Sequence, residues 1–176
     1  MTAIALECGA TIDKYIGDAM MVFFGDPDSK GEREDARACV NMALRMRDKI
    51  SNLQLKWQKQ GFSEPFQVRM GMNTGYCNVG NFGSDQRLTY TIIGSEVNVA
   101  QRLETSAESG GILMSYETYA HAQDLIEVEQ LESISMKGVN REIKVFSVLN
   151  ELRERKSKNY ASHTFKTVPE RIGDRL

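Results

Sequence analysis

The stretch DKYIGDAMMVFFG, residues 13 to 25, puts an ammonium, Lys14, and a carboxylate, Asp18, at the two ends of a tight turn between apolar runs. Two chemistries are open to the pair. One is surface decoration by ion pairing of Lys14 with Asp13 or Asp18, worth about 1 kcal/mol at most when exposed. The other is a site in which the carboxylate holds a hard cation and the ammonium reads a base. An Asx-type turn after Gly17 is the plain structural account of Asp18. A second pair, Asn98 and Arg102, lies four residues apart in SEVNVAQRLE. On a helix that spacing places both on one face, while Val99 and Leu103 face the core. Arg102 is then either a surface guanidinium bridging Glu96 or Glu104, or a fixed positive charge aimed at charge developing in a reaction.

The elements that must position these residues follow from pattern. MTAIALECG reads as helix ending at Gly9, a common stop. ATIDKYIGDAMMVFFG reads as two strands joined at Ile16 to Asp18. The second, Met20 to Phe24, is apolar without a break, as expected of a strand buried on both faces. A polar loop follows, and Glu34 or Asp35 opens a helix running to about Gln60, with Ala36, Cys39, Val40, Ala43, Met46 and Ile50 forming one apolar stripe. FQVRMGMNTG reads as a strand, YCNVGNFGSDQ as a Gly-rich turn region, and RLTYTIIG as a strand ended by Gly94. Gly75, Gly80 and Gly83 read as turn glycines with unusual backbone angles. Ser95 is the expected cap of the helix bearing Asn98 and Arg102. GGILMS is a short buried strand, YETYAHAQD a short helix, and IEVEQLESISM with REIKVFSVL a hairpin-like pair. The mixture, without strict alternation, predicts an α+β fold with helices packed on a mixed sheet.

The totals set outer bounds. The chain has 176 residues, 41% hydrophobic and 26% charged, and a formal net charge of −2. That is one domain by length, with no bulk attraction to nucleic acid or anionic membrane. No apolar run reaches the roughly 20 residues of a membrane helix, and the N-terminus has no signal-peptide pattern. Cys8, Cys39 and Cys77 are scattered and odd in number. They are expected to be reduced, small apolar fillers in a cytoplasmic setting.

DKYIGDAMMVFFG, VRMGMNTGYCNVGNFGS, YTIIGSEVNVAQRLE, GGILMS and MKGVNREIKVFSV occur in that order. Together they resemble the class III nucleotidyl (adenylate/guanylate) cyclase catalytic domain, a ferredoxin-like-derived fold. The resemblance covers residues 1–150, leaving 151–176 as a polar tail. It implies that Asp18 is one of two carboxylates holding two divalent cations, Mg²⁺ or Mn²⁺. It implies that Lys14 reads the base. An ammonium donates to N1 of adenine, whereas N1 of guanine carries a hydrogen, and guanylate-making relatives place an acid there. Thr91, seven residues before Asn98, is the implied partner that accepts from the adenine 6-amino group. Many adenylate cyclases carry Asp at that position, so Thr91 is similar to a bacterial, class IIIb-like subgroup, some of whose members respond to bicarbonate. By the same resemblance Asn98 orients the ribose, Arg102 stabilises charge on the α-phosphate, and Lys144, with Lys137 as competitor, meets the terminal phosphates.

These domains work as head-to-tail homodimers with active sites at the interface. Lys14 and Asp18 would therefore share a hairpin yet serve two different sites. The expected activity is conversion of ATP to 3′,5′-cyclic AMP and pyrophosphate by a cytoplasmic domain, whose parent protein has room for a membrane anchor. The family's first metal Asp lies on an N-terminal strand followed by Gly-Phe-Thr, and this sequence has no such segment before Asp18. The expectation is thus a catalytic domain lacking its N-terminal strand and part of its first helices, leaving sheet surface uncovered, and weak or inactive as this chain alone because the first metal Asp is absent, although its parent is an active cyclase. The alternatives are a catalytically incomplete module for dimerisation or nucleotide-binding regulation, and a guanylate cyclase.

Overall fold

A computed structural model describes residues 1–63, 66–136 and 138–152. Lys137 and the tail from residue 153 lie outside the described residues. Helix α1 (Thr2–Glu7) leads into strands β1 (Thr11–Ile16) and β2 (Ala19–Phe23), an antiparallel hairpin. Helix α2 (Glu32–Lys59) is followed by β3 (Met70–Met72), then by β4 (Asn78–Ser84) and β5 (Arg87–Ile93), a second antiparallel hairpin. Helix α3 (Ser95–Ser106), β6 (Ile112–Ser115), α4 (Tyr116–Ala122), β7 (Ile126–Gln130) and β8 (Val145–Glu151) complete the order.

The central sheet runs β3-β6-β8-β7, with β3 parallel to β6 and the other pairs antiparallel. It is a mixed sheet with helices on both faces. Because side chains alternate along a strand, Ile112 and Met114 of β6 enter one core while Leu113 enters the other. The first core joins Val40, Ala43 and Leu44 of α2 to Ala122 of α4, Ile126 of β7 and Phe146 and Val148 of β8. The second joins Val99 and Leu103 of α3 to Leu113, Ile143 and Val145. The expected α+β architecture and the core face of α3 are therefore observed.

Several local expectations are corrected. Residues 78–84 form a strand where a glycine-rich turn was expected, because every residue of β4 has a partner on β5. Gly75 and Gly80 have ordinary backbone angles; only Gly83 of the three has a positive φ, 143°. The strand expected over residues 66–75 is confined to Met70–Met72, the part that pairs with β6. Ser95 makes no capping bond; Gly94 occupies the cap position and Ser95 is the first helical residue. Finally, β2 is not buried on both faces. Only Phe23 is fully buried, since among the described residues β1 alone pairs with it.

One contact fixes α3 against the sheet. A Cβ at Gly71 of β3 would lie 2.2 Å from the Glu104 amide nitrogen and 2.3 Å from the Ala100 carbonyl oxygen. Helix and strand backbones meet here with no room for a side chain, so only glycine permits the approach.

Candidate active site

The structure brings Lys14 of β1 to Thr91 of β5, across 77 positions of sequence. The Lys14 ammonium donates to Thr91 Oγ1 at 2.9 Å. Thr91 Oγ1 in turn donates to Asp13 Oδ2 at 2.8 Å, and the Ile92 amide donates to the same oxygen at 3.4 Å. Asp13 Oδ1 lies 3.4 Å from the Lys14 nitrogen. Two adjacent strand residues ordinarily point to opposite faces. Here the β1–β2 register slips between Ile12 and Lys14, leaving Asp13 without a cross-strand partner. Such a bulge re-aims a side chain, and it lets Asp13 and Lys14 both reach Thr91.

Asp18 stands at the exposed tip of the β1–β2 hairpin. Among the described residues no group of three or more His, Cys, Asp or Glu side chains comes together to hold a metal. Mg²⁺ commonly takes one or two carboxylates and completes its shell with substrate phosphates and water. Asp18 fits as one such ligand. Asp13 does not, because its oxygens face Thr91, Ile92 and Lys14.

Asn98 and Arg102 lie on the exposed face of α3, opposite the buried Val99 and Leu103. The surface partners open to Arg102 are taken. Glu96 binds Arg141 through two hydrogen bonds of 2.9 and 2.8 Å, and Glu104 pairs with Arg69 at 3.1 Å. Lys144 is exposed, lies just before β8, and sets its ammonium 5.6 Å from the centre of the Tyr116 ring.

Two positions that spacing did not single out, Asn73 and Arg141, hold α3 in place through Glu96. Asn73 donates to the Glu96 carbonyl at 3.0 Å and to its carboxylate at 2.8 Å. Arg141 also reaches Glu117 at 3.5 Å. The Arg141 hydrogen bonds, aided by Asn73 and opposed by partial burial, hold the Glu96 carboxyl below its ordinary value. Gly75 leaves space for that carboxylate: a Cβ there would lie 2.6 Å from Glu96 Cγ. The acidic first turn of α3 was the available signal, but its partners come from loops that periodicity does not register.

The family model of the adenylate and guanylate cyclase catalytic domain matches residues 10–150. The chain belongs to this family. It is 29% identical over 145 residues to adenylate cyclase 1 of Rhizobium meliloti, covering 81% of this chain and 21% of that protein. The chain thus spans about a fifth of the length of that curated relative. Among solved structures it is similar to the adenylyl cyclase CyaB from P. aeruginosa, with 48% identity and a TM-score of 0.80, over 85% of this chain and 76% of that one. It is also similar to the guanylyl cyclase Cya2, with 28% identity and a TM-score of 0.77, over 88% and 77%. The class III fold and the nucleotide cyclase family expected from the motifs are thereby established.

Proposed function

We propose that this domain is an adenylate cyclase, converting ATP to 3′,5′-cyclic AMP and pyrophosphate. The observation that carries the proposal is the 2.9 Å contact between Lys14 and Thr91, which sets an ammonium beside a hydroxyl oxygen. Adenine offers an acceptor at N1 next to a donor at its 6-amino group. Guanine offers a donor at N1 next to an acceptor. Lys14 has only donors, so it matches adenine N1 and meets guanine N1 donor to donor. The 48% identity to an adenylyl cyclase supports the same choice.

In this reading Lys14 and Thr91 hold the base edge, Asn98 orients the ribose, and Arg102 faces the α-phosphate, where charge grows as the 3′-hydroxyl attacks. Lys144 meets the terminal phosphates. Asp18 would help hold Mg²⁺ or Mn²⁺. When bound, two such ions assist loss of the hydroxyl proton and neutralise triphosphate charge. The site is shared across a homodimer, with Asp18 from one protomer and Lys14, Thr91, Asn98 and Arg102 from the other. Bicarbonate stimulation is a further expectation of the Thr91 subgroup, tested by rates with and without bicarbonate at fixed pH.

The test is nucleotide product formed from ATP and from GTP with Mn²⁺ by the full-length parent protein, as wild type, Asp18→Ala and Arg102→Ala. Cyclic AMP from wild type, lost in both variants, is expected. Equal product in all three removes the enzyme reading, and preference for GTP replaces it with a guanylate cyclase. A second reading, a nucleotide-binding module without turnover, is favoured by the absence, among the described residues, of any group of three or more His, Cys, Asp or Glu side chains that could hold a metal. Nucleotide binding with no product would support that reading.

A further inference from the structure

We propose that Asp13 is a positioning residue for base choice: by taking the only proton of the Thr91 hydroxyl, it fixes that oxygen as an acceptor. The inference rests on the adenylate reading above and deepens it. A threonine hydroxyl has one hydrogen and two lone pairs, and left free it rotates to donate or to accept. A reader that can do either accepts from an adenine amino group or donates to a guanine carbonyl, and discriminates poorly. Here the hydrogen is committed to Asp13 Oδ2 at 2.8 Å. An ionised carboxylate has no hydrogen to return. One lone pair of Thr91 Oγ1 takes the Lys14 ammonium at 2.9 Å, and the other remains for a donor on the base.

The surroundings of Asp13 fit this role. Its side chain is 0% exposed and its Oδ1 has no hydrogen-bond partner among the described residues, although Lys14 lies 3.4 Å away. A buried carboxylate with an unsatisfied oxygen carries a desolvation cost, and the bulge that brings it inward breaks the β1–β2 ladder. A carboxylate needed only as a counter-ion for Lys14, itself 42% exposed, requires neither burial nor a bulge.

The experiment measures dissociation constants of the α,β-methylene analogues of ATP, GTP and purine riboside triphosphate, which do not cyclise, in the presence of Mg²⁺. Purine riboside keeps N1 as an acceptor and lacks the 6-amino group, so it reports Lys14 alone. Wild type should prefer the ATP analogue over the purine riboside analogue by about tenfold, the worth of one hydrogen bond. In Asp13→Asn the amide can donate to Thr91 and free its hydrogen. That preference should fall toward one, and the GTP analogue should gain against ATP. In Asp13→Asn with Thr91→Asp, the reader is an acceptor without help, and the preference should return.

If Asp13→Asn leaves the ratios unchanged, or weakens all three analogues equally, Asp13 serves only Lys14 or the fold and the proposal is wrong. If wild type shows no preference for the ATP analogue over that of GTP, the adenylate reading falls as well. Should Asp13→Asn fail to fold by its thermal melt, Thr91→Val carries the test: retention of the wild-type ratio in that variant overturns the proposal.

Discussion

Arg102 is exposed and makes no ion pair among the described residues, and the α3 carboxylates Glu96 and Glu104 pair instead with Arg141 and Arg69. A guanidinium that its own chain leaves unused is available to a phosphate. Arg102→Ala should therefore lower kcat by roughly 100-fold or more, as loss of a donor to developing charge does. Its unfolding free energy should stay within about 0.5 kcal/mol of wild type, as for a surface substitution. Parallel loss of both would recast Arg102 as structural. The opposite case is Cys39, whose thiol is pushed up to about 12, chiefly by burial and secondarily by Cys8. At pH 8 it should resist alkylation in the folded protein and react only on unfolding, which mass spectrometry of iodoacetamide-treated protein would read. The shared exposed face of Asn98 and Arg102 on α3 and the place of Lys14 on a hairpin strand were legible because helical spacing and a turn motif are written locally. Asp13 was legible only as a salt-bridge partner of Lys14. Its contact with Thr91 depends on a slipped register, and no pattern within one strand records how its neighbour pairs.

At the scale of elements, α3 is held from two sides. Gly71 admits its backbone, and Glu96 ties its first turn to Asn73 and Arg141. Gly71→Ala forces a methyl into backbone atoms that cannot swing aside. The expected cost is about 1–3 kcal/mol or more, measured by denaturant unfolding, with activity lost in proportion to the helix displacement. Wild-type stability there would show that α3 shifts freely. Glu96 adds a pH dependence of definite sign. Its folded pKa is depressed, so its contribution is complete above the ordinary value of 4.5 and is lost as pH falls through the lower folded value. Glu96→Gln should remove that acid-side component, and an unchanged profile below pH 4.5 would refute it. The helices were readable because apolar residues recur at their period, and β6 because its run is short, apolar and bounded by Gly110 and Gly111. The strand β4 was hidden by its own glycines, Gly80 and Gly83. Only its residue-by-residue pairing with β5 makes it a strand.

For the whole molecule, the proposed division of labour between protomers is decided by a mixing experiment. Asp18→Ala and Arg102→Ala chains are each expected to be inactive. If sites are shared head to tail, random reassortment makes half of the dimers mixed, each with one intact site of two, giving about a quarter of wild-type activity. No recovery after mixing would mean that each protomer works with its own Asp18 and Arg102. The β4–β5 hairpin bears on this arrangement. It forms its own two-stranded sheet and leaves Leu88, Tyr90 and Ile93 exposed at 63%, 43% and 44%, while Thr91 between them is buried at 7%. The oxygen proposed to meet the base is thus mounted on an arm whose exposed apolar side chains, Leu88, Tyr90 and Ile93, are open to contact from outside. Whatever clasps that arm also leans on the hydroxyl, so purine choice and subunit association would answer to the same lever.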